Sequence, residues 1–472
     1  MKVLGRYFAP YLVFLAALDG ALFFVAWGAL GYGQHCAGCY FDNLANVKLG
    51  EAAFLTAVFL MVAAAAGFYT RDAIANFRVL TTRFLVAWPF VFIPAAAFFL
   101  IADSAHWLNS GSSLGSLVLA ILQLMLALFT VRAIIVWCFG GDLMSRRILV
   151  LGQGPLADAT ISFIRDSGHS YLQHVDTVPS EPPASPARSL NGNLALVAQP
   201  DAGASLLAIA QASRIDEIVV ATSDRRGLPV WELLQCKLAG VTVVDYLTFW
   251  ERETGQVDIF HAGADWFAFS DGFRLDGARR AIKRAMDVAV SLVFLIWTLP
   301  ITLLAALAIR LETPGPIFYR QERVGLNGEL FRVWKFRSMR QDAEGDGVPR
   351  WAANDDDRVT RVGRLIRKAR IDEIPQVFNV LSGEMSFIGP RPERPFFVKQ
   401  LQREVPYYDL RHRVKPGITG WAQVNYPYGA SVADAEQKLG YDLYYVKNQS
   451  VLLDLTILVR TVRVILSGDG AR

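Results

Sequence analysis

The chain has 472 residues, 53% of them hydrophobic, and a mean hydropathy of +0.30. These values are high for a soluble protein and indicate a bilayer. The formal net charge is only +4, which excludes a global basic field of the kind that attracts nucleic acid. The length predicts about three domains.

Four apolar segments near the N-terminus are long enough to cross a bilayer, since about 20 apolar residues span its hydrocarbon core. They lie at about 10–32, 52–70, 84–102 and 114–137. Lys and Arg concentrate at the N-terminus, in the second loop and after the fourth segment. We therefore predict a four-helix transmembrane bundle over residues 1–140, with both of its ends on the cytoplasmic side.

Four polar residues in this region attract notice. Asp19 lies inside the first span, where a helix–helix hydrogen bond and a functional role are both open. Arg132 is predicted to extend from the fourth span to the inner face. Cys36 and Cys39 form a C-x-x-C in the first, outward loop. Without a second pair they do not indicate zinc, and a disulfide or two unpaired thiols are both open.

Residues 146–262 alternate short apolar strands with helices, which predicts a Rossmann-like module with a parallel, doubly wound sheet. After the strand RRILVLG, Gly152, Gly154 and Ala157 have the spacing of a dinucleotide fingerprint. A single match of this kind is weak evidence, and Asp176 would be its acidic partner. Nucleotide binding, a folded spacer and a regulatory module are the alternatives.

A fifth apolar segment, at about 285–309, is long enough to span but carries Pro300 in its middle and basic residues on both flanks. Proline removes a backbone bond and bends a helix. A crossing would carry the second basic flank outside, against the positive-inside tendency. We expect a re-entrant, proline-broken helix, with a plain fifth span as the alternative. The last segment, 451–466, has charges within an apolar helix and predicts an amphipathic helix in the membrane interface.

The acidic pair Asp372–Glu373 stands in RKARIDEIPQ (367–376), after three basic residues in four positions. We predict Asp372 as the N-cap of a helix through about Leu381, with Pro375 in the first turn. The positive helix end and the arginines would keep the carboxylates ionised and attract phosphate. With a divalent ion, the pair predicts a site for a metal-bound diphosphate, and an ionised Asp is also a nucleophile. A plain N-cap with a first-turn Glu is the alternative.

Basic residues surround this pair in the sequence. Lys335 and Arg337 share one face if VWKFRSM (333–339) is extended. A helix after Asp357 would have one apolar face, with Val359, Val362, Leu365 and Ile366. Another face would be basic, with Arg358, Arg361, Arg364 and Lys368. A solvated charged face and a site for lipid headgroups or phosphates are the two interpretations.

Three segments, KFRSM, RIDEIPQVFNVLSGEMSFIGPRPERP and RHRVKPGITGWAQVN, resemble the bacterial sugar transferase family. These are the monotopic polyprenyl-phosphate phosphoglycosyl transferases. The resemblance covers about residues 275–466 and implies an α-rich catalytic domain over residues 275–472. The preceding bundle and Rossmann-like module resemble those of large members that initiate capsule, exopolysaccharide or O-antigen synthesis. In the family the re-entrant helix often has a small polar residue before its proline, whereas Leu299 precedes Pro300 here.

The resemblance implies transfer of a glucose- or galactose-type hexose-1-phosphate from a UDP-sugar to undecaprenyl phosphate, with release of UMP. Asp372 would be the nucleophile, and Glu373 would bind Mg²⁺, or Mn²⁺, with it. The phosphate-binding residues would be Lys335, Arg337, Arg370 and Arg391, with Asp442, Arg364 and Lys368 as further candidates. The catalytic domain would lie on the cytoplasmic face of the bacterial inner membrane, with a homodimer and downstream glycosyltransferases as partners.

Two other functions are compatible with the sequence. In one, the same transfer proceeds by direct attack in a ternary complex, with Asp372 only a metal ligand. In the other, the chain is a non-enzymatic membrane scaffold for polysaccharide assembly whose middle module senses a nucleotide. The sequence does not identify the sugar, although NYPYGAS (425–431) is predicted to lie near the sugar or a partner chain.

Overall fold

The computed structural model describes residues 146–166, 172–178, 205–273, 277–340, 358–426, 429 and 431–467. Nearer the N-terminus it describes only short stretches between residues 2 and 134. The strands β1 (Lys2–Val3) and β2 (Arg6–Tyr7) pair there. Most of the predicted bundle therefore lies outside the described residues, as do Cys36, Cys39 and Arg132, while Asp19 is buried on a helical stretch.

The chain divides into two compact units. The middle unit consists of Tyr69–Arg83 and Met125–Gly255. The second unit consists of Met1–Phe68, Phe84–Leu124 and Gln256–Arg472. This boundary falls before the predicted end of the middle module at residue 262. Residues from Gln256 onward pack in the second unit, where the Val257 N–H donates to the Gly440 carbonyl at 3.0 Å. The partner of Val257 in this contact, Gly440, lies 183 residues further along the chain.

The middle unit is a parallel sheet with helices on both faces, and this confirms the doubly wound prediction. Its strands are β3 (Arg146–Leu151), β4 (Leu172–Val178), β5 (Glu217–Val220) and β6 (Thr242–Asp245), in the order β4-β3-β5-β6. Helices α1 (Pro155–Asp166) and α4 (Tyr246–Thr254) cover one face, and α2 (Leu206–Ala212) and α3 (Val230–Leu238) the other. Alternate residues of β3 enter the two cores, as the strand period of two requires.

The fingerprint glycine Gly152 has a packing role in this unit. It has a φ of +134°, and a Cβ there would lie 2.4 Å from the Ala221 carbonyl oxygen. A side chain would therefore collide with the end of β5. Asp176, the expected acidic partner, lies within β4 and not at its end.

The second unit is rich in helices, as the resemblance implied. Its helices are α5 (Ala264–Phe269), α6 (Gly277–Glu312), α7 (Arg361–Lys368), α8 (Val377–Ser382), α9 (Pro395–Glu404), α10 (Trp421–Asn425), α11 (Val432–Asn448) and α12 (Val451–Ser467). Strands β7 (Phe318–Val324) and β8 (Leu330–Phe336) form an antiparallel hairpin, and β9 (Ser386–Ile388) pairs in parallel with β10 (Gly417–Thr419). The described residues of this unit also include three 3₁₀ segments, Leu326–Gly328, Ile371–Gln376 and Tyr408–Arg413.

The long helix α6 contains Pro300 and is, among the described residues, the one helix long and apolar enough to cross a membrane. It stays helical on both sides of the proline, so the expected break does not end the helix. Its first half contributes Met286 to a core around Val333, while its second half contributes Ile309 to a core with Phe336. Val333 and Phe336 both belong to β8. Both halves of α6 therefore rest on the same unit.

Helix α12 is largely buried, contrary to the predicted interfacial helix. Leu453 and Ile457 are 1% and 0% exposed, and they pack in the core that also holds Val333. Asp454 is only 1% exposed, so this charge does not reach headgroups or water. The amphipathic pattern arises because a polar partner for Asp454 lies inside the protein.

That partner is Lys283 of α6, at the centre of a buried ionic cluster. Its ammonium lies 3.0 Å from Asp287 Oδ1 and 3.1 Å from Asp454 Oδ2. The Ser386 hydroxyl of β9 donates to Asp287 Oδ1 at 2.9 Å, and the Tyr445 hydroxyl donates to Asp454 Oδ1 at 2.9 Å. The cluster thus connects α6, β9, α11 and α12.

We expect Lys283→Met to destabilise the second unit by about 3–5 kcal/mol, because it leaves two buried carboxylates without their cation. Thermal unfolding of the purified protein in detergent measures this. Arg280→Met, on the exposed part of the same helix, is the matched control and should change stability by less than about 0.5 kcal/mol. Equal shifts for the two variants would contradict the assigned role.

Candidate functional site

The acidic pair lies in the 3₁₀ segment Ile371–Gln376, between α7 and α8. Arg370 occupies the N-cap position, with a φ of 58°, and Asp372 is inside the turn with no capping bond. The N-cap prediction for Asp372 is therefore wrong. Pro375 has no N–H to donate to the Ile371 carbonyl, so an α-helical bond is excluded at that point and the segment is 3₁₀. Regular α-helix begins only at Val377.

Glu373 is held by two cations from other segments. Lys335 Nζ lies 2.9 Å from Glu373 Oε1, and Arg391 donates to the same oxygen at 2.5 Å and to Oε2 at 3.3 Å. Burial alone would raise the pKa of Glu373, but the charges of Arg391 and Lys335 outweigh it and hold this pKa well below the usual value. Glu373 is thus a fixed, ionised carboxylate.

Asp372 differs from its neighbour in its contacts. Among the residues that the structure describes, none forms a hydrogen bond or an ion pair with its carboxylate. Asp372 is nevertheless a buried residue, with 9% of its surface exposed. Burial and the negative charge of Glu373 raise the pKa of Asp372, while Lys335, Arg367 and Arg391 oppose the rise. The pKa of Glu373 is therefore lowered, as expected for a carboxylate kept ionised, whereas the pKa of Asp372 is raised. Its oxygens stay available to a ligand or a reacting phosphorus.

Arg391 is in turn held through its backbone. Arg411 donates from Nη2 to the Arg391 carbonyl at 2.9 Å, and the same guanidinium contacts Asp442 Oδ2 at 2.8 Å and 3.1 Å. Its third group, Nη1, donates to the Tyr408 hydroxyl at 2.8 Å. Asp442 therefore lies behind the site, as the buried counter-ion of Arg411.

The structure brings together Lys335, Asp372, Glu373 and Arg391, and it places other predicted residues elsewhere. Arg337 comes after the end of β8 and donates to the carbonyls of Thr313 and Pro314 and to the Thr313 hydroxyl, each at 2.8 Å. Its guanidinium thus caps the end of α6.

On the short helix α7, Arg364 and Lys368 are exposed, as predicted for a basic face. Leu365, predicted to be on the apolar face, is 67% exposed, whereas Ile366 is buried. The helix begins only at Arg361, after the N-cap Thr360, and of its eight residues only Gly363 and Ile366 are buried.

Sequence reasoning counted Arg367 among the basic residues before the acidic pair without singling it out, and it missed Arg411. Arg367 acts on the charge of Asp372, and its position one helical turn before the acidic segment was a usable clue. Arg411 is 6% exposed, and no local pattern distinguishes a buried arginine from its neighbours in RHRVKPG. Only the fold reveals its contact with Asp442.

The carboxylates of the site can hold a divalent cation only if substrate oxygens serve as its other ligands. In the described part of the chain no cluster of three or more His, Cys, Asp or Glu residues is present. Mg²⁺ is usually held by one or two carboxylates together with substrate phosphates. Asp372, with its unengaged oxygens, and Glu373 meet that requirement.

A family model described as bacterial sugar transferase matches residues 278–468. The chain is 44% identical over 280 residues to a UDP-N-acetylgalactosamine-undecaprenyl-phosphate N-acetylgalactosaminephosphotransferase of Aeromonas hydrophila, a match covering 59% of this chain and 63% of that protein. It is 42% identical over 190 residues to a UDP-glucose:undecaprenyl-phosphate glucose-1-phosphate transferase of Escherichia coli (strain K12), covering 40% and 41%. A protein of that name from Caulobacter vibrioides is 42% identical over 191 residues, 40% of this chain and 71% of its own length. The chain thus spans less than two thirds of the first two relatives.

Next to Arg411, His412 provides a test of the packing behind the site. Burial and the Arg411 charge lower the pKa of His412 to about 4. The folded state therefore stays neutral at pH 5, where the unfolded state binds a proton. Stability should be full above about pH 6.5 and fall by about 2 kcal/mol by pH 5. His412→Gln should lose this part of the pH dependence of thermal unfolding, and an unchanged dependence would contradict the burial of a neutral imidazole.

Proposed function

Because the chain belongs to the bacterial sugar transferase family, we propose that it transfers a hexose-1-phosphate from a UDP-sugar to undecaprenyl phosphate and releases UMP. The names of its relatives support glucose or N-acetylgalactosamine as the type of sugar. One observation carries the proposal. The buried carboxylate of Asp372, which has no hydrogen-bond or ion-pair partner among the described residues, lies beside an ionised Glu373 held by Lys335 and Arg391. Such a site suits phosphoryl transfer, in which positioning and charge neutralisation dominate.

In the first step, an ionised Asp372 oxygen attacks the β-phosphorus of the UDP-sugar. The bond from that phosphorus to the bridging oxygen breaks, and UMP leaves with the electron pair. The product is a phosphosugar–aspartate. An oxygen of undecaprenyl phosphate then attacks the same phosphorus and restores the carboxylate. The absence of a hydrogen bond to Asp372 among the described residues supports this route.

The surrounding groups have separate roles in this proposal. Lys335 and Arg391 keep Glu373 ionised and face the diphosphate, and Arg367 favours the anionic form of Asp372. A bound Mg²⁺ or Mn²⁺, held by Asp372 and Glu373, would neutralise charge on the substrate phosphates. Arg364 and Lys368 are exposed on α7, where they suit the phosphate of the lipid substrate or headgroups.

We further propose that α6 is re-entrant and that the second unit lies on the cytoplasmic face of the inner membrane. Contacts of both halves of α6 with the same unit support this. A helix that crossed the bilayer would carry one half away from the domain. Exposed apolar side chains between the two contacts, such as Ile296, Trp297 and Leu304, would then face lipid.

We expect Asp372→Asn to abolish sugar-phosphate transfer and to prevent covalent labelling, because the amide is not a nucleophile. The assay supplies a panel of UDP-sugars with and without undecaprenyl phosphate, and it scores glycolipid, UMP and labelled protein. Wild-type protein should retain radiolabelled sugar when the lipid is omitted. Asp271→Asn, an exposed change in the same unit, should behave as wild type.

Two outcomes would contradict parts of this proposal. Normal turnover without any labelled protein would favour direct attack in a ternary complex, with Asp372 as a metal ligand. Absence of transfer with every UDP-sugar, from folded wild-type protein and lipid acceptor, would remove the proposed activity itself.

Membrane topology has its own test. The test uses two variants of a cysteine-free form of the protein, Arg280→Cys and Glu329→Cys. Each has a single cysteine at an exposed position, one before and the other after the apolar part of α6. A membrane-impermeant thiol reagent added to intact cells should label neither, and both should be labelled in inside-out vesicles. Labelling of one position from outside would show that α6 crosses the bilayer.

A further inference from the structure

The free edge of β8 is closed by a side chain. In this hairpin β8 pairs with β7 alone among the described strands, so backbone groups on its other edge need partners. Asn379 of α8 provides them. The Trp334 N–H donates to Asn379 Oδ1 at 2.9 Å, and Asn379 Nδ2 donates to the Arg332 carbonyl at 2.8 Å. In a parallel sheet, a residue of the neighbouring strand bonds in the same pattern, with its N–H to the carbonyl of residue i and its C=O to the N–H of residue i+2.

The orientation of this carboxamide is fixed. Asn379 is 0% exposed, and the second proton of Nδ2 goes to Glu384 Oε2 at 2.8 Å. The side chain thus donates to two oxygens and accepts from one N–H, so a flipped amide would break all three bonds. Ser382 also donates to Glu384 Oε2, at 3.1 Å, which holds the acceptor in place.

Asn379 links the two segments that carry the Lys335–Glu373 ion pair. Its partner Trp334 is the residue before Lys335, and its own helix follows directly from the 3₁₀ segment that carries Glu373. The carboxamide therefore fixes the distance between the backbone behind the cation and the backbone behind the carboxylate. Lys335 Nζ ends 2.9 Å from Glu373 Oε1.

We propose that Asn379 is a positioning residue. Its carboxamide takes the place of a neighbouring strand residue along the free edge of β8. It thereby positions β8 relative to the acidic segment, so that Lys335 reaches Glu373. Its consequence for turnover rests on the proposed function, whereas the geometric role does not. A general contribution to stability is the competing explanation. The two differ in whether loss of Asn379 affects Lys335 alone.

The test compares acetylation rates of single lysines in the native full chain by mass spectrometry, with an amine-reactive ester as the probe. Asn379→Leu keeps the shape but removes the three bonds. We expect Lys335 to react about tenfold faster in this variant. The loss of one buried hydrogen bond costs about 1.4 kcal/mol, which corresponds to a tenfold change. Lys283 is the internal reference, because its side chain is buried to a similar degree, 12% against 18% exposed, in another ion-paired cluster.

Thr456→Val is the matched control, since Thr456 is also buried and donates to the Leu452 carbonyl in the same unit. This variant should leave the acetylation rates of Lys335 and Lys283 unchanged. Faster reaction of Lys335 and Lys283 together in Asn379→Leu would overturn the proposal in favour of general loosening. An unchanged Lys335 would overturn it as well.

Turnover gives a second measurement. If Asn379 acts through Lys335, Asn379→Leu should lower kcat about tenfold in wild type and by less than about twofold in a Lys335→Met background. Equal losses in both backgrounds would contradict action through Lys335. Failure of the wild-type protein to transfer any sugar phosphate would instead remove the proposed function, and the lysine rates would still decide the role of Asn379.

Discussion

The ion pairs of Glu373 with Lys335 and Arg391 are the constraint around which the second unit is organised. The three residues come from three separate segments, β8, the 3₁₀ turn and the loop after β9. A buried carboxylate without cations would be costly, and two cations without the carboxylate would repel each other. The fold therefore has to bring the three segments together, and Arg411 secures one of them by holding the Arg391 carbonyl.

These ion pairs also explain why two carboxylates stand side by side. Both cannot be charged at no cost in a buried site, because each raises the pKa of the other. Glu373 takes the direct contacts of Lys335 and Arg391, so its pKa falls and that of Asp372 rises. The two residues are adjacent in a 3₁₀ turn, where successive side chains point about 120° apart. One carboxylate can thus bind the cations while its neighbour stays available for chemistry.

Alternating apolar runs were enough to predict the doubly wound sheet. The charge pattern singled out the acidic pair and Lys335, whereas Arg391 came only from the resemblance to a known family. The failures have local or long-range causes. The 3₁₀ segment begins at Ile371, so Asp372 lies inside the turn and not at its N-cap, and the end of β8 at Phe336 removes Arg337 from the face of Lys335. Asp454 looked like a headgroup contact because its cation, Lys283, is 171 residues away in sequence. Charges inside apolar helices cannot be placed until their partners are known.

The contacts of α6 relate the site to the membrane. Arg284 donates to the carbonyls of Val380 and Leu381 at the end of α8, and Asp287 accepts from the backbone N–H of Phe387 in β9. These two elements follow Glu373 and precede Arg391. The second half of α6 packs against Phe336, next to Lys335. Every segment that contributes to the ion pairs is therefore braced by the same apolar helix. If that helix lies in lipid, the depth of Asp372 relative to the headgroups is set by rigid contacts and not by a flexible tether. The proposed transfer, from a water-soluble donor to a lipid-anchored phosphate acceptor, requires such fixed positioning.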